Sequence, residues 1–261
     1  MPELMPELMT ELTLDLAYSP SHFATDFEAT LTRQAVAGHA LRARHQPMAL
    51  SYGDDPAACL HLFIPPGEGP WPLMVFIHGG YWQELDHTAT DFLAEHYLER
   101  GMAFASIGYG LAPTTTIDTM IAQCVQGLKA AYHALEDNGG TWSITLGGHS
   151  AGAQLAYWVA VSGKVPIDKL VLVSGVYDLT PLVDTYVNEP LGLTQTQAQA
   201  LSPQFGELAK LPPSQIVIAE NDPPTFHQQG HNFIALLRAA DVQAELVELP
   251  GCDHFDVLEY L

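Results

Sequence analysis

Basic residues are scarce in this chain. Nine Lys and Arg stand against 30 Asp and Glu in 261 residues, a formal net charge of −21. Such a surface repels phosphates, which argues against nucleic acid and anionic membrane as partners. Charged residues of both signs reach only 15%, below the usual quarter. Cysteine is scarce too: Cys59, Cys124 and Cys252 are odd in number and far apart, with no C-x-x-C pair. That excludes a disulfide framework and fits a reducing compartment. No apolar run approaches the length of a bilayer span. The opening residues, MPELMPELMTELTLDL, lack the basic start and apolar centre of a secretory signal. A cytoplasmic location is the expectation. No dinucleotide or P-loop glycine fingerprint follows any apolar run, so no cofactor is called for. A small-molecule substrate is the expected partner, and a homodimer stays open.

What the chain does have is a 48% hydrophobic content, enough for a sizeable core at a length that single α/β domains reach. The doubled Met-Pro-Glu-Leu at 1–8 reads as part of a mobile extension over 1–17, with one domain over 18–261. Phe23, Phe27, Leu31 and Ala35 at spacing four predict a helix over 21–43. Stretches 48–52 and 58–64 read as a hairpin. From there short apolar runs (73–77, 102–107, 142–146, 170–173, 215–219) alternate with helical patterns (88–100, 117–135, 151–161, 226–240). An edge strand over 245–249 and a closing helix over 255–261 follow. The alternation predicts an α/β fold with a mostly parallel sheet of about eight strands and helices on both faces. Residues 177–213 break the rhythm with several prolines and no strand, and are expected to form a small lid or a pocket wall.

Gly148-His149-Ser150-Ala151-Gly152 matches G-x-S-x-G between a predicted strand and a predicted helix, the context that gives the pattern meaning. A tight turn there lifts the Ser150 hydroxyl above the sheet, and small residues two away on each side make room for it. His78-Gly79-Gly80-Tyr81-Trp82 follows an apolar strand. Acyl transfer builds charge on a carbonyl oxygen, and unobstructed backbone N–H groups must meet it. The N–H groups of Gly80, Tyr81 and Ala151 are the candidate oxyanion donors, with Gly79 an alternative. A serine nucleophile needs a histidine base oriented by a carboxylate. His254 is the one histidine on the loop after the last strand. Asp222 follows strand 215–219 and is preferred as its acid over Asp178, Glu220 and Asp253. His227 and His231 lie one helical turn apart, but no third ligand is evident, so no metal is expected. Trp82, Tyr109 and Tyr177, with Tyr81, are candidates to line a substrate pocket.

Together these residues resemble the α/β-hydrolase superfamily, and within it the kynurenine formamidases (arylformamidases). His78-Gly79-Gly80-Tyr81-Trp82 is more specific to that family than the general HGG of lipases and esterases. The elbow, Asp222, His254, the loop Asp253-His254-Phe255-Asp256 and the stretch Ser174 to Leu179 also fit its pattern. The H-x-G-T-H-x-D pattern of metal-dependent formamidases is missing. The resemblance implies an α/β-hydrolase fold and cofactor-free serine hydrolysis of N-formyl-L-kynurenine to L-kynurenine and formate, in tryptophan breakdown. The motifs contain no Arg or Lys to hold that substrate's carboxylate. A carboxylesterase for short acyl esters is therefore the rival reading. A non-catalytic binding protein on a hydrolase fold is disfavoured by the complete triad.

Overall fold

The computed structural model describes residues 13–261. Much of the expected 1–17 extension lies outside them. Its last residues form a single helical turn, α1 (Leu14–Ala17), capped by the Thr13 hydroxyl. The helix expected over 21–43 is α2 (Phe27–Arg44), and it starts later because the Asp26 carboxylate caps the Ala29 N–H at 3.0 Å. The residues before it, Pro20–His22, make a separate 3-10 turn.

The hairpin is β1 (Met48–Ser51) and β2 (Cys59–Phe63). Then come β3 (Trp71–Ile77), α3 (Ala94–Glu99), β4 (Ala103–Ile107), α4 (Ile117–Glu136), β5 (Thr141–His149), α5 (Ala151–Val161) and β6 (Lys169–Val173). The strand-free stretch over 177–213 holds α6 (Asn188–Leu191), α7 (Gln195–Leu201) and several 3-10 turns. The chain closes with β7 (Ser214–Ala219), α8 (Pro224–Ala239), β8 (Ala244–Leu249) and a 3-10 turn, Asp256–Tyr260, in place of the expected closing helix.

The eight strands form one sheet in the order β1-β2-β4-β3-β5-β6-β7-β8. β2 runs antiparallel to both neighbours, and the other pairings are parallel. Alternate side chains of β3 serve the two faces. Leu73, Val75 and Ile77 pack in one core with Met120 and Leu128 of α4, Leu155 of α5 and Phe233 of α8. Met74 and Phe76 pack in the other with Leu41 of α2, Leu98 of α3 and Val257. Both faces are covered by helices, so β3 reads as an uninterrupted apolar run. Each fully buried aliphatic or aromatic side chain contributes about 1.5–3 kcal/mol of transfer free energy. The parallel strands all end at one rim of the sheet, and that rim carries the site. Among the described residues no helix is long and apolar enough to cross a membrane.

Candidate active site

β5 runs straight into the turn that holds Ser150. The serine adopts φ 54° and ψ −119° immediately before α5. A non-glycine residue in such backbone costs on the order of 1–3 kcal/mol and persists only where its surroundings hold it. Here its N–H donates to the Val173 carbonyl at the end of β6, at 2.8 Å. The flanking glycines are steric necessities. A Cβ on Gly148 would sit 2.2 Å from the Gly152 carbonyl oxygen, and one on Gly152 would sit 2.2 Å from the Ile77 carbonyl oxygen. The N-terminus of α5, with its positive dipole end, lies directly beneath the serine.

Asp222 and His254 meet across the ends of β7 and β8. His254 Nδ1 donates to Asp222 Oδ1 at 2.6 Å. The other carboxylate oxygen accepts from Ser174 Oγ at 2.5 Å and from the Ala219 N–H at 2.9 Å. Burial alone would raise the Asp222 pKa. The neighbouring imidazole and these hydrogen bonds outweigh it and hold the carboxyl below its ordinary range. With Nδ1 committed to the carboxylate, Nε2 is left as the basic nitrogen. Ser150 and His254 line the same cavity. The other acids considered for the pairing have different partners. Asp178 accepts from the N–H and hydroxyl of Thr180, Glu220 from the Gly251 N–H, and Asp253 from the N–H groups of Phe255 and Thr25.

The loop after β3 faces the serine. Gly80 has φ +95°, and a Cβ there would lie 2.3 Å from the Glu84 carbonyl oxygen. Tyr81 and Trp82 also take positive φ, 47° and 61°. Among the described residues the N–H groups of Gly80, Tyr81 and Ala151 donate to no other group, which leaves them available to a bound oxyanion.

Two histidines hold this floor together: His78, whose sequence position suggested a structural hydrogen-bonder, and His149, to which the sequence assigned no role. His149 is buried between the oxyanion loop and the base. Its Nε2–H donates to the His254 carbonyl at 2.8 Å, and its ring centroid lies 4.7 Å from that of His254. Burial, helped by the charge of a protonated His254, pushes its pKa down to about 3, so it stays neutral. His78 stacks on Tyr109 at 4.3 Å and 8° and donates Nδ1–H to the Gly79 carbonyl. Burial lowers its pKa to about 4. The residue between glycine and serine in G-x-S-x-G can be any type, so nothing in the motif marked His149. Ser174 sat in the recognised stretch before the lid without a role.

The expected pocket residues need correction. Trp82, Tyr109 and Tyr177 are all core side chains, and none lines the cavity. The positive-φ turn at Tyr81 and Trp82 sends the indole inward, where its N–H donates to Gln154 of α5 at 3.1 Å. Tyr109 donates its hydroxyl to the His78 carbonyl at 2.9 Å. Tyr177 stacks on Phe233 at 4.1 Å. Tyr81 does reach the cavity, with its hydroxyl donating to the Tyr18 carbonyl. The cavity, about 320 Å³ in volume, is walled by Pro20, Leu31, Tyr186, Phe255 and Leu258. It lies at the small end of small-molecule sites. Of the 177–213 segment, Tyr186 and Val187 border it. No Arg or Lys is among its described lining residues, and Glu84 is one of them. His227 and His231 have an acidic neighbour that the sequence did not show: Glu248 of β8, with one ligand atom of each of the three within 4.8 Å of the others.

A strained serine above a helix N-terminus, a buried carboxylate–imidazole pair and free N–H groups on one cavity are the parts of a serine hydrolase on an α/β-hydrolase fold. The family model for the alpha/beta hydrolase fold matches residues 74–257. The chain is 31% identical to the kynurenine formamidase of Danio rerio over 95% of this chain and 90% of that one. It is 33% identical to that of Salmo salar, over 80% and 75% of the two chains. The chain belongs to the kynurenine formamidase family of α/β hydrolases. Among solved structures, a Silicibacter protein described as a candidate thioesterase superposes with a TM-score of 0.83 at 29% identity, covering 95% and 94% of the two chains. An esterase from Pyrobaculum calidifontis shares the fold at a TM-score of 0.74 and 20% identity, covering all of this chain and 92% of that one.

Proposed function

We propose that this chain hydrolyses the formamide of N-formyl-L-kynurenine, releasing formate and L-kynurenine, with Ser150, His254 and Asp222 as its catalytic triad. The observation that carries this reading is the buried 2.6 Å Asp222–His254 pair facing the same cavity as the strained Ser150. Family membership and the small cavity support the substrate.

In this mechanism His254 Nε2 takes the Ser150 proton as Oγ attacks the formyl carbon. The N–H groups of Gly80, Tyr81 and Ala151 hold the oxyanion, each worth about 3–4 kcal/mol to the transition state. His254 then gives its proton to the leaving aryl nitrogen. A water, deprotonated by the same imidazole, attacks the formyl ester and frees formate and Ser150. Asp222 keeps Nδ1–H in place and stabilises the imidazolium. His149 positions the base by gripping its backbone carbonyl.

A short-chain carboxylesterase is the second reading, favoured by the absence of an Arg or Lys for the substrate carboxylate among the cavity's described lining residues. Formate release from N-formyl-kynurenine, run beside hydrolysis of a short p-nitrophenyl ester, separates the two. A formamide kcat/KM of about 10⁴ M⁻¹s⁻¹ or more is the expected result. Turnover of the ester alone would keep the triad and overturn the substrate.

A further inference from the structure

We propose that His227, His231 and Glu248 form a binding site for one divalent transition-metal ion of the zinc class, on the outer edge of the sheet. The two histidines stand one turn apart on α8, with ring planes 19° apart. Glu248 is on β8, the edge strand, and its register partner on β7 is Ile218. One ligand atom from each of the three side chains lies within 4.8 Å of the others.

The hydrogen bonds favour a cation. His231 donates Nδ1–H to the His227 carbonyl at 2.8 Å. That bond commits Nδ1 and turns Nε2 toward β8. The same Nε2 lies 2.8 Å from Glu248 Oε1. That is the spacing of an N–H···O hydrogen bond, so a ring proton can hold the pair; a metal ion would take that proton's place, with the two atoms opening to about 3.3 Å for tetrahedral ligands. A metal-ligating histidine characteristically donates its other ring N–H to a backbone carbonyl, as His231 does. His227 holds only a 3.2 Å contact from Nε2 to the Glu220 carbonyl, which a small rotation releases. Two imidazoles and one carboxylate suit zinc, nickel or copper, whereas magnesium and calcium prefer all-oxygen sites. His231 and Glu248 are half exposed, so water can complete the coordination. The net charge of −21 favours cation binding.

The site sits behind the chemistry. α8 begins two residues after Asp222, and β8 ends five residues before His254. An ion shared by α8 and β8 would clamp together the two elements that carry the acid and the base. It touches no reacting atom, so it acts on stability and leaves the rate alone.

The test is zinc titration of the untagged, chelator-stripped full chain by calorimetry, with magnesium as the hard-cation control. It is paired with thermal unfolding and with formamide turnover. One zinc per chain in the micromolar range is expected, with a melting midpoint raised by about 5 °C at a hundredfold excess over Kd. Turnover and the response to magnesium should not change. His231→Gln and Glu248→Gln, both surface changes, should each remove the binding and the thermal shift. Three results would overturn the site. One is no zinc binding up to about 1 mM, with a proton alone bridging His231 and Glu248. Another is equal binding by the two variants. The third is zinc inhibition that persists in them, which would place the ion at the active-site histidines.

Discussion

The floor of the cavity and its wall are built in opposite ways. The floor comes from loops at the ends of adjacent parallel strands, and its titratable side chains are bound to one another or to buried backbone. Ser150, Asp222 and His254 are each under 5% exposed. The wall comes from segments far apart in sequence: Pro20 and Leu31 near the start, Tyr186 in the strand-free stretch, Phe255 and Leu258 at the end. It is largely apolar, and Tyr186 is 46% exposed. A few long-range bonds tie these segments together, such as Gln34 Nε2 to the Phe255 carbonyl at 2.9 Å, and the Thr25 N–H reaches Asp253, beside the base, at 3.2 Å. The difference teaches that chemistry and substrate choice are separable here. The floor tolerates almost no change of shape. The wall can vary without disturbing the hydrogen bonds beneath it.

Changes to the floor should cut kcat. Ser150→Ala removes the nucleophile and should lower formamide kcat by about 10⁴-fold or more, measured by formate release. Asp222→Asn keeps the shape but loses the charge and the tautomer control, and should cost about 10³–10⁴-fold. Gly80→Ala places a methyl against the Glu84 carbonyl and shifts an oxyanion donor. A loss of about 10²-fold in kcat is expected, with KM little changed.

Acid should destabilise the fold through its buried histidines. His78 and His149 are neutral in the fold, with pKa values lowered to about 4 and about 3, and an unfolded chain protonates both near pH 6.5. The unfolded state therefore binds more protons below pH 6.5. Stability is full above that pH and falls as pH drops toward about 4 for His78 and about 3 for His149. The slope approaches about 1.4 kcal/mol per pH unit for each histidine. Urea unfolding between pH 7 and pH 5, where most carboxylates stay ionised, measures it, and His149→Asn should lower the slope by up to about 1.4 kcal/mol per pH unit. The wall should give the smallest effects. Leu31→Ala or Leu258→Ala should raise KM about 3- to 10-fold and leave kcat within about twofold. A wall substitution that collapses kcat would break the separation.

The floor was largely legible in the sequence because its constraints are local. The elbow is one pentapeptide whose glycines are dictated by contacts within the turn, and the acid and base follow from chain order and strand-end position. β3 and β6 read correctly because burial on both faces leaves an unbroken apolar run. Beyond the 177–213 stretch, expected as a lid or pocket wall, the wall was not legible, since no local pattern records that residues 20–34 and 255–258 converge with it. Aromatic character misled at Trp82, Tyr109 and Tyr177, because a ring that fills a core and one that lines a pocket look alike in sequence. The positive-φ turn at Tyr81 decided which of two neighbouring rings reached the cavity. Glu248 escaped notice as a neighbour of His227 and His231 because only the packing of α8 on β8 brings them together.

The most direct test of the central claim is to react the protein with a fluorophosphonate and map the adduct by mass spectrometry. A nucleophile activated by the Asp222–His254 pair predicts one stoichiometric adduct on Ser150, with parallel loss of formamide turnover. It also predicts labelling slowed by orders of magnitude in Asp222→Asn. Formamide turnover that survives full labelling of Ser150, or labelling that ignores the loss of Asp222, would contradict it.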